Sequence, residues 1–283
     1  MFTLEKKGHG NNMIIDYKKE SIEIKNINKI PEIGLSPSSK DDLAVIFCSI
    51  VTTSLNNKEG DVLRVNLKLS YINKDGNFSK VRKTISFFED PKRELSIEES
   101  KFLDFSIEEK NGSTIDWNLV NNLLNSADLV ISHNASFVKP WIAKHIENLD
   151  TIWGCSMEQA NWEKDNFPSR SLPVLSVFSG LFYDQKDSAL SLDALVHVLV
   201  NNNATKDLII QAKSPDLQLF AANAPFESKD ILKERRYRWN PDVGCWWLAV
   251  KDKEHGKVES EWLVNNFPKT EPQIFEIEPK FRF

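Results

Sequence analysis

Apolar residues run almost unbroken from Leu43 to Val51, which predicts a buried strand. Residues 62–72 and 80–88 alternate in part between apolar and polar, and Asn73-Lys74-Asp75-Gly76-Asn77 joins them. The Asp-Gly pair makes this a predicted hairpin. Residues 115–126 carry Ile115, Leu119, Val120, Leu123 and Leu124 at helical spacing, with Ser113 or Thr114 as the candidate N-cap. A buried strand at 129–132 follows, then a helix from Lys139, further helices at 171–178 and 190–199, and a linking helix at 204–214. Beyond it the pattern predicts a strand at 217–222, a short helix at 229–235, and a hairpin of 237–239 with 246–250 around Asn240-Pro-Asp-Val-Gly244. The charged stretch 251–257 reads as a solvated loop. Residues 1–40 hold few apolar side chains and read as a mobile arm or loosely docked extension.

Composition narrows the class. With 283 residues, 41% hydrophobic and 27% charged, the chain fits a soluble globular protein of one medium domain and one small one. The predicted division is a polar extension at 1–40, a main domain at 41–202, and a linker helix with a small appendage at 203–283. A net charge of −5 argues against nucleic-acid binding over the whole surface but leaves room for a local basic patch. The three cysteines, Cys48, Cys155 and Cys245, are far apart, so neither a disulfide framework nor a zinc site is expected. A reducing, cytoplasmic setting is the expectation. No secretory h-region and no run near the roughly 18 apolar residues of a membrane helix occurs, so no membrane partner is expected. No cofactor is expected either, since nucleotide-cradling glycine motifs, Gly-x-Ser-x-Gly and His-Glu-x-x-His are all missing.

Several segments share one likeness. Residues 46–55 read Ile-Phe-Cys-Ser-Ile-Val-Thr-Thr-Ser-Leu, and 128–137 read Asp-Leu-Val-Ile-Ser-His-Asn-Ala-Ser-Phe. Phe182-Tyr-Asp-Gln-Lys186 precedes the apolar helix of 192–199. Between these stand Phe88-Glu-Asp-Pro91, Trp153-Gly-Cys-Ser156 with Trp162, and Ser169-Arg-Ser-Leu172. The chain resembles the DEDD-type (DnaQ-like) 3'-5' exonucleases over about residues 43–283. It is also similar to a subgroup with a Trp-rich C-terminal appendage, through 224–240, Cys245-Trp-Trp247, Glu261-Trp-Leu263 and Phe281-Arg-Phe283. The resemblance implies an α/β chain: an RNase H-like mixed sheet flanked by helices, plus a small α+β C-terminal domain. The predicted order of three antiparallel strands, a helix, a fourth strand and closing helices agrees with it.

The family's first motif continues Asp-x-Glu-Thr-Thr-Gly-Leu. Thr52, Thr53 and Leu55 match it, but Ser49 and Val51 occupy the acidic positions. The second motif, His-Asn-Ala-x-Phe-Asp, puts Val138 at its Asp. In the third, Lys186 stands at the His and Ser191 at the last Asp. All five catalytic positions therefore depart from the pattern, and activity is not inherited. Two-metal hydrolysis needs carboxylates that hold both ions, and valine offers no oxygen. Residues two apart on a strand share a face, so Ser49 and Val51 would both look into the former ion site. If the true register is shifted, Asp184, Asp187 and Asp193, with His197, are the nearest substitutes, although no acid lies between Asp42 and Glu59.

Two readings of the cleft follow. Either Ser49, Lys186 and Ser191 hold a nucleic-acid end without metal, or Val51 and Val138 pack together and fill it. Thr52, Thr53 and Leu55 lie where family members contact the terminal nucleotide, and His133 and Asn134 are expected to brace their turn by hydrogen bonds. In the appendage Lys229, Lys233, Arg235, Arg236 and Arg238 interleave with Tyr237, Trp239, Trp246 and Trp247, a composition suited to single-stranded nucleic acid. The competing reading makes the tryptophans a small core and the cations a solvated face. Trp239 and Trp246 read as core, and Lys233, Arg235, Arg236 and Arg238 as binding residues. Three functions remain open: a catalytically degenerate exonuclease-like protein that binds a single strand or a 3' end, a scaffold for a protein partner, and a residual or rearranged 3'-5' exonuclease.

Overall fold

The computed structural model describes residues 33–91, 93–96, 112–162, 167–241 and 243–283, and near the N-terminus the backbone of 3–5, 13–17 and 20–27. It comprises two units, 1–212 with Phe283, and 213–282. In the first unit β1 (Thr3–Glu5), β2 (Met13–Tyr17) and β3 (Glu20–Asn26) form an antiparallel meander where the sequence predicts a loose arm. Main-chain pairing makes the difference, because β3 continues into a parallel pair with the short strand at Leu181–Phe182. The local signal was the Ile22-Glu23-Ile24-Lys25 alternation and the Met13-Ile14-Ile15 run, which the polar character of the extension as a whole obscures.

The main sheet begins with β4 (Leu43–Thr52), antiparallel to β5 (Val62–Ile72). The strand β5 pairs in turn with β6 (Phe78–Val81) and β7 (Ile85–Phe88), so the second arm of the predicted hairpin is split. Helix α1 (Trp117–Asn125) leads to β8 (Leu129–Ser132), which is parallel to β4, and helix α2 (Ala135–Ala143) leads towards β9 (Trp153–Cys155), parallel to β8. The order β6-β5-β4-β8-β9, with an antiparallel first hairpin and parallel later strands, is the mixed sheet of an RNase H-like fold. Strand β9 was not predicted, being too short to show a period.

Both faces of the sheet are covered, which explains why β4 is apolar almost throughout. Val45 and Phe47 join one cluster with Leu195 and Leu199 of a later helix; Ile46 and Cys48 join the other with Val120, Leu124 and Trp141. After α3 (Ser156–Gln159) and α4 (Leu172–Phe178) come β10 (Leu181–Phe182), α5 (Ser188–Asn201) and α6 (Thr205–Lys213). Leu208, Ile209 and Ala212 of α6 belong to the first unit's cluster. The linking helix thus packs with the main domain, and the division falls after 212 where the sequence placed it after 202.

Caps set the helix starts. Asp116, not Ser113 or Thr114, caps α1, its Oδ1 accepting from the amide of Leu119 at 2.9 Å. Asn134 caps α2 through the amide of Phe137 at 3.3 Å, so this helix starts ahead of the predicted Lys139.

The second unit is a four-stranded antiparallel sheet with helices. Strand β11 (Asp216–Ala222) is followed by α7 (Lys229–Glu234), β12 (Arg238–Asn240), β13 (Cys245–Val250), α8 (Lys253–Asn266) and β14 (Glu271–Ile277). The sheet order is β12-β13-β11-β14. The predicted solvated loop is the first part of α8, capped by Asp252, whose side chain accepts from the amide of His255 at 2.8 Å. Its buried positions are Gly256, Glu259 and Leu263, a helical spacing that a glycine and a glutamate conceal from any hydrophobicity count.

The 73–77 turn closes as predicted: Asn73 Oδ1 accepts from the amides of Asp75 and Asn77, each at 3.0 Å. Gly76 has φ +85, and a Cβ there would lie 2.8 Å from both Cβ and N of Lys206. Gly76→Ala should therefore cost more than the roughly 1 kcal/mol of left-handed strain alone. Gly112→Ala, at φ +77 with open space around it, should cost only that strain. Urea denaturation of both variants checks the ranking.

Candidate functional site

Strand β5 carries Arg64, Asn66, Lys68 and Ser70 at alternate positions, and all are buried at 0–9% exposure. The register sets Arg64 beside Val51, Asn66 beside Ser49, and Lys68 beside Phe47. This polar strip faces the start of α5. Asn66 Nδ2 donates to Ser49 Oγ at 3.2 Å and to Ser188 Oγ at 2.9 Å, and its Oδ1 accepts from Ser86 Oγ at 2.7 Å. Ser49 Oγ donates to the Ser188 carbonyl at 3.3 Å. Arg64 Nη2 donates to Ser86 Oγ at 3.1 Å and lies 3.9 Å from Asp187 Oδ1, while Lys68 Nζ lies 2.7 Å from Asp193 Oδ1. Asp187 also caps α5, accepting from the amides of Ala189 and Leu190. His197 stands on the same helix. Burial holds its imidazole below the usual range, Asp193 opposes that shift, and Lys68 adds to it.

Ser49 and Val51 do share the face predicted for them, on the α5 side. Ser191 Oγ donates back to the Ser188 carbonyl at 2.6 Å. Lys186 is exposed in the turn before the helix, its amide bonded to Asp184 Oδ1 at 3.0 Å. Val138 is buried in the opposite cluster with Cys48 and Trp141.

The divalent ions that the resemblance implies do not fit this face. Ser49 has its hydroxyl engaged, Val51 has no oxygen, and two cations stand where positive ions would have to enter. Asp187 and Asp193 are each paired with one of those cations. Among the described residues no three His, Cys, Asp or Glu side chains converge as a metal-binding group.

The remaining first-unit candidates hold loops together. Thr52 Oγ1 donates to the Ser54 carbonyl at 2.7 Å, and Thr53 Oγ1 accepts from the Asp61 amide at 2.9 Å. Leu55 is 87% exposed. His133 Nε2 meets the Arg170 carbonyl and Nδ1 meets Ser156 Oγ, both at 2.9 Å. A carbonyl only accepts, so the network assigns the proton to Nε2 and leaves Nδ1 accepting from the hydroxyl. Burial pushes His133 down to about 4, the Arg170 carbonyl opposing.

In the second unit the five appendage cations separate into different tasks. Arg235 grips buried Glu259 through Nε at 2.9 Å and Nη2 at 2.8 Å, and its guanidinium lies 4.1 Å from the Trp262 ring centroid. Hydrogen bonding to Glu259 raises its pKa. Burial, followed by Glu259, pushes the phenol of Tyr237 up. Lys229 sits over Phe226 at 4.7 Å. Lys233, Arg236 and Arg238 are exposed. Trp246 packs on the small core, but Trp239 is 50% exposed and meets Trp246 edge to face.

Arg64, Asn66 and Lys68 were missed by sequence reasoning. Their signal was present as strict polar alternation within β5, which normally marks a solvated face.

No family model matches the sequence, and no match to a curated protein is found. Solved structures give distant likenesses. One is exonuclease X in complex with 5'-overhanging duplex DNA, at 14% identity over 59% of this chain and 99% of that one, TM-score 0.40. Another is the zinc-bound E. coli ExoI complex with single-stranded DNA, at 10% over 64% and 48%, TM-score 0.42. A third is a 3'-exonuclease that recognises the 3' end of a histone mRNA stem-loop, at 9% over 59% and 85%, TM-score 0.44. At these scores the likenesses carry no argument, and the fold rests on the sheet order itself.

Two outcomes are expected. Asp193→Leu should destabilise the protein by about 2–3 kcal/mol because it strands buried Lys68; the figure sits low for a buried pair because Asp193 is 35% exposed. Adding Lys68→Met should restore most of the loss, and a double-mutant cycle in urea reads the coupling. The second concerns pH. Native His133 stays neutral down to about 4, whereas an unfolded histidine protonates near about 6.5. The unfolded chain thus binds more protons in that window, so stability is complete above it and falls as pH drops through it. His145 and His197 shift the same way. Denaturation midpoints between those pH values should slope less for His133→Asn than for wild type.

Proposed function

We propose that this chain is a catalytically degenerate, DEDD-type 3'-5' exonuclease-like protein that binds nucleic acid, a single strand or a 3' end, without two-metal hydrolysis. The observation that carries this reading is the buried pair Arg64 and Lys68 on the face where the resemblance expects two ions and their carboxylates. Each cation is neutralised by its own aspartate, so two ion pairs occupy the face without the net negative charge that would draw divalent ions in. With Asp187 and Asp193 paired to them, no carboxylate couple is left to orient a water between two ions. The exposed candidates for contact are Leu55 and Lys186 in the first unit and Lys233, Arg236 and Arg238 in the second. Ser49, Thr52, Thr53, His133 and Ser191 are part-buried and hydrogen-bonded within the protein, while Asn134 and Arg235 are exposed but already committed, Asn134 to capping α2 and Arg235 to Glu259.

Fluorescence anisotropy of the full chain with a labelled single-stranded oligonucleotide, in EDTA, tests the reading. Binding should occur without metal and weaken steeply with salt. In magnesium or manganese no mononucleotide should leave a 3'-labelled end. Metal-dependent release of mononucleotides, or no binding at low salt, would overturn it.

A further inference from the structure

The second unit's sheet has two unlike faces. Leu219, Ala221 and Val250 lie with Leu232 of α7 and Leu263 of α8 in one apolar cluster. On the opposite face the register aligns Arg238, Trp247, Phe220 and Gln273 in a single cross-strand row. The next row sets Gln218 beside Phe275. Phe220 and Phe275 meet edge to face with centroids 5.5 Å apart, and the Arg238 guanidinium lies 5.7 Å from the Trp247 ring centroid. None of these three rings belongs to the helix-side cluster. Phe275 is 48% exposed, Phe220 and Trp247 are half-buried, and Gln273 and Arg238 are exposed. Aromatic rings gathered on the face opposite α7 and α8 mark a binding surface better than they mark a core.

The charges give that surface a direction. Arg236 and Arg238 are exposed just before and on β12, one edge of the sheet, whereas Glu271 lies on β14 at the other; exposed Lys233 belongs to α7, beside exposed Glu234. Asp216, the acid that the β11 register puts on the aromatic face, is neutralised by Arg282 Nε at 2.6 Å and Nη2 at 2.8 Å. A polymer with anionic backbone on one side and flat, polar-edged rings on the other matches this arrangement. Its phosphates follow the basic β12 edge, its bases stack across Trp247, Phe220 and Phe275, and the amides of Gln218 and Gln273 reach base edges. We propose that this face is a base-stacking platform for single-stranded nucleic acid. The assignment rests on the nucleic-acid reading above and joins Trp247, which the sequence already singles out, to Phe220 and Phe275, which it does not. Stacking on aromatic rings is tolerant of base identity, so the platform binds with little sequence preference.

The test uses the full chain and fluorescein-labelled oligo-dT in EDTA. Phe275→Ala, a half-exposed position on an edge strand, should weaken binding about tenfold, the loss of one stacked base. Arg238→Ala should reduce the slope of log affinity against log salt by about one. Photocrosslinking of a 5-iodouracil oligonucleotide to the wild type should map to peptides holding Trp247 or Phe275, a readout independent of variant stability. Wild-type binding with both variants unchanged and crosslinks confined to the first unit overturns the platform while leaving the binding function intact. Absence of wild-type binding at low salt removes both. Concentration-dependent self-association that Phe275→Ala abolishes assigns the face to a second copy of the chain and also overturns the proposal.

Discussion

The first unit depends on keeping a polar strip buried. Arg64, Asn66 and Lys68 point from a central strand into the contact with α5, and each would carry a heavy desolvation cost without a partner. The start of α5 supplies the partners: Asp187, Ser188 and Asp193 come from one and a half turns of helix. The same short segment therefore caps its helix, neutralises two cations and fixes the helix against the sheet. Ser49 and Ser86 complete the set from the strands on either side.

This strip also decides what the site can do. A pair of divalent ions needs converging oxygen ligands and a local excess of negative charge. The face provides neutral hydroxyls, an amide and two cations whose counter-ions lie on the helix. Among the described residues no group of three His, Cys, Asp or Glu side chains converges to hold a metal. The fold is held by packing on both sides of β4, whereas any chemistry at this face rests on a few side chains.

In the second unit one glutamate does comparable work. Glu259 is buried on α8 and receives two hydrogen bonds from Arg235, with the Tyr237 hydroxyl at 3.4 Å. A residue that composition counts as a free cation is thereby committed to holding α8 against the end of α7. Arg236 and Arg238, its near neighbours, remain exposed. Spacing alone does not separate these fates, since all three belong to one basic run.

Much of the main sheet was legible in the sequence: the apolar run of β4, the Asp-Gly turn, β8 and the helices after it all leave periodic or turn signals. That Ser49, Val51, Val138, Lys186 and Ser191 are not acids is likewise a statement about side-chain chemistry that needs no coordinates. Strands β9 and β10 were too short to leave a period, and α8 hid its inward face behind Gly256 and Glu259. What required the tertiary structure was the direction of β5's polar side. Alternation tells which residues share a face, but whether that face meets water or a helix depends on a segment more than a hundred positions away. The pairing of Lys68 with Asp193, the capping role of Asp187 and the aromatic row across the second sheet are long-range events of that kind, set by register and packing rather than by any local preference.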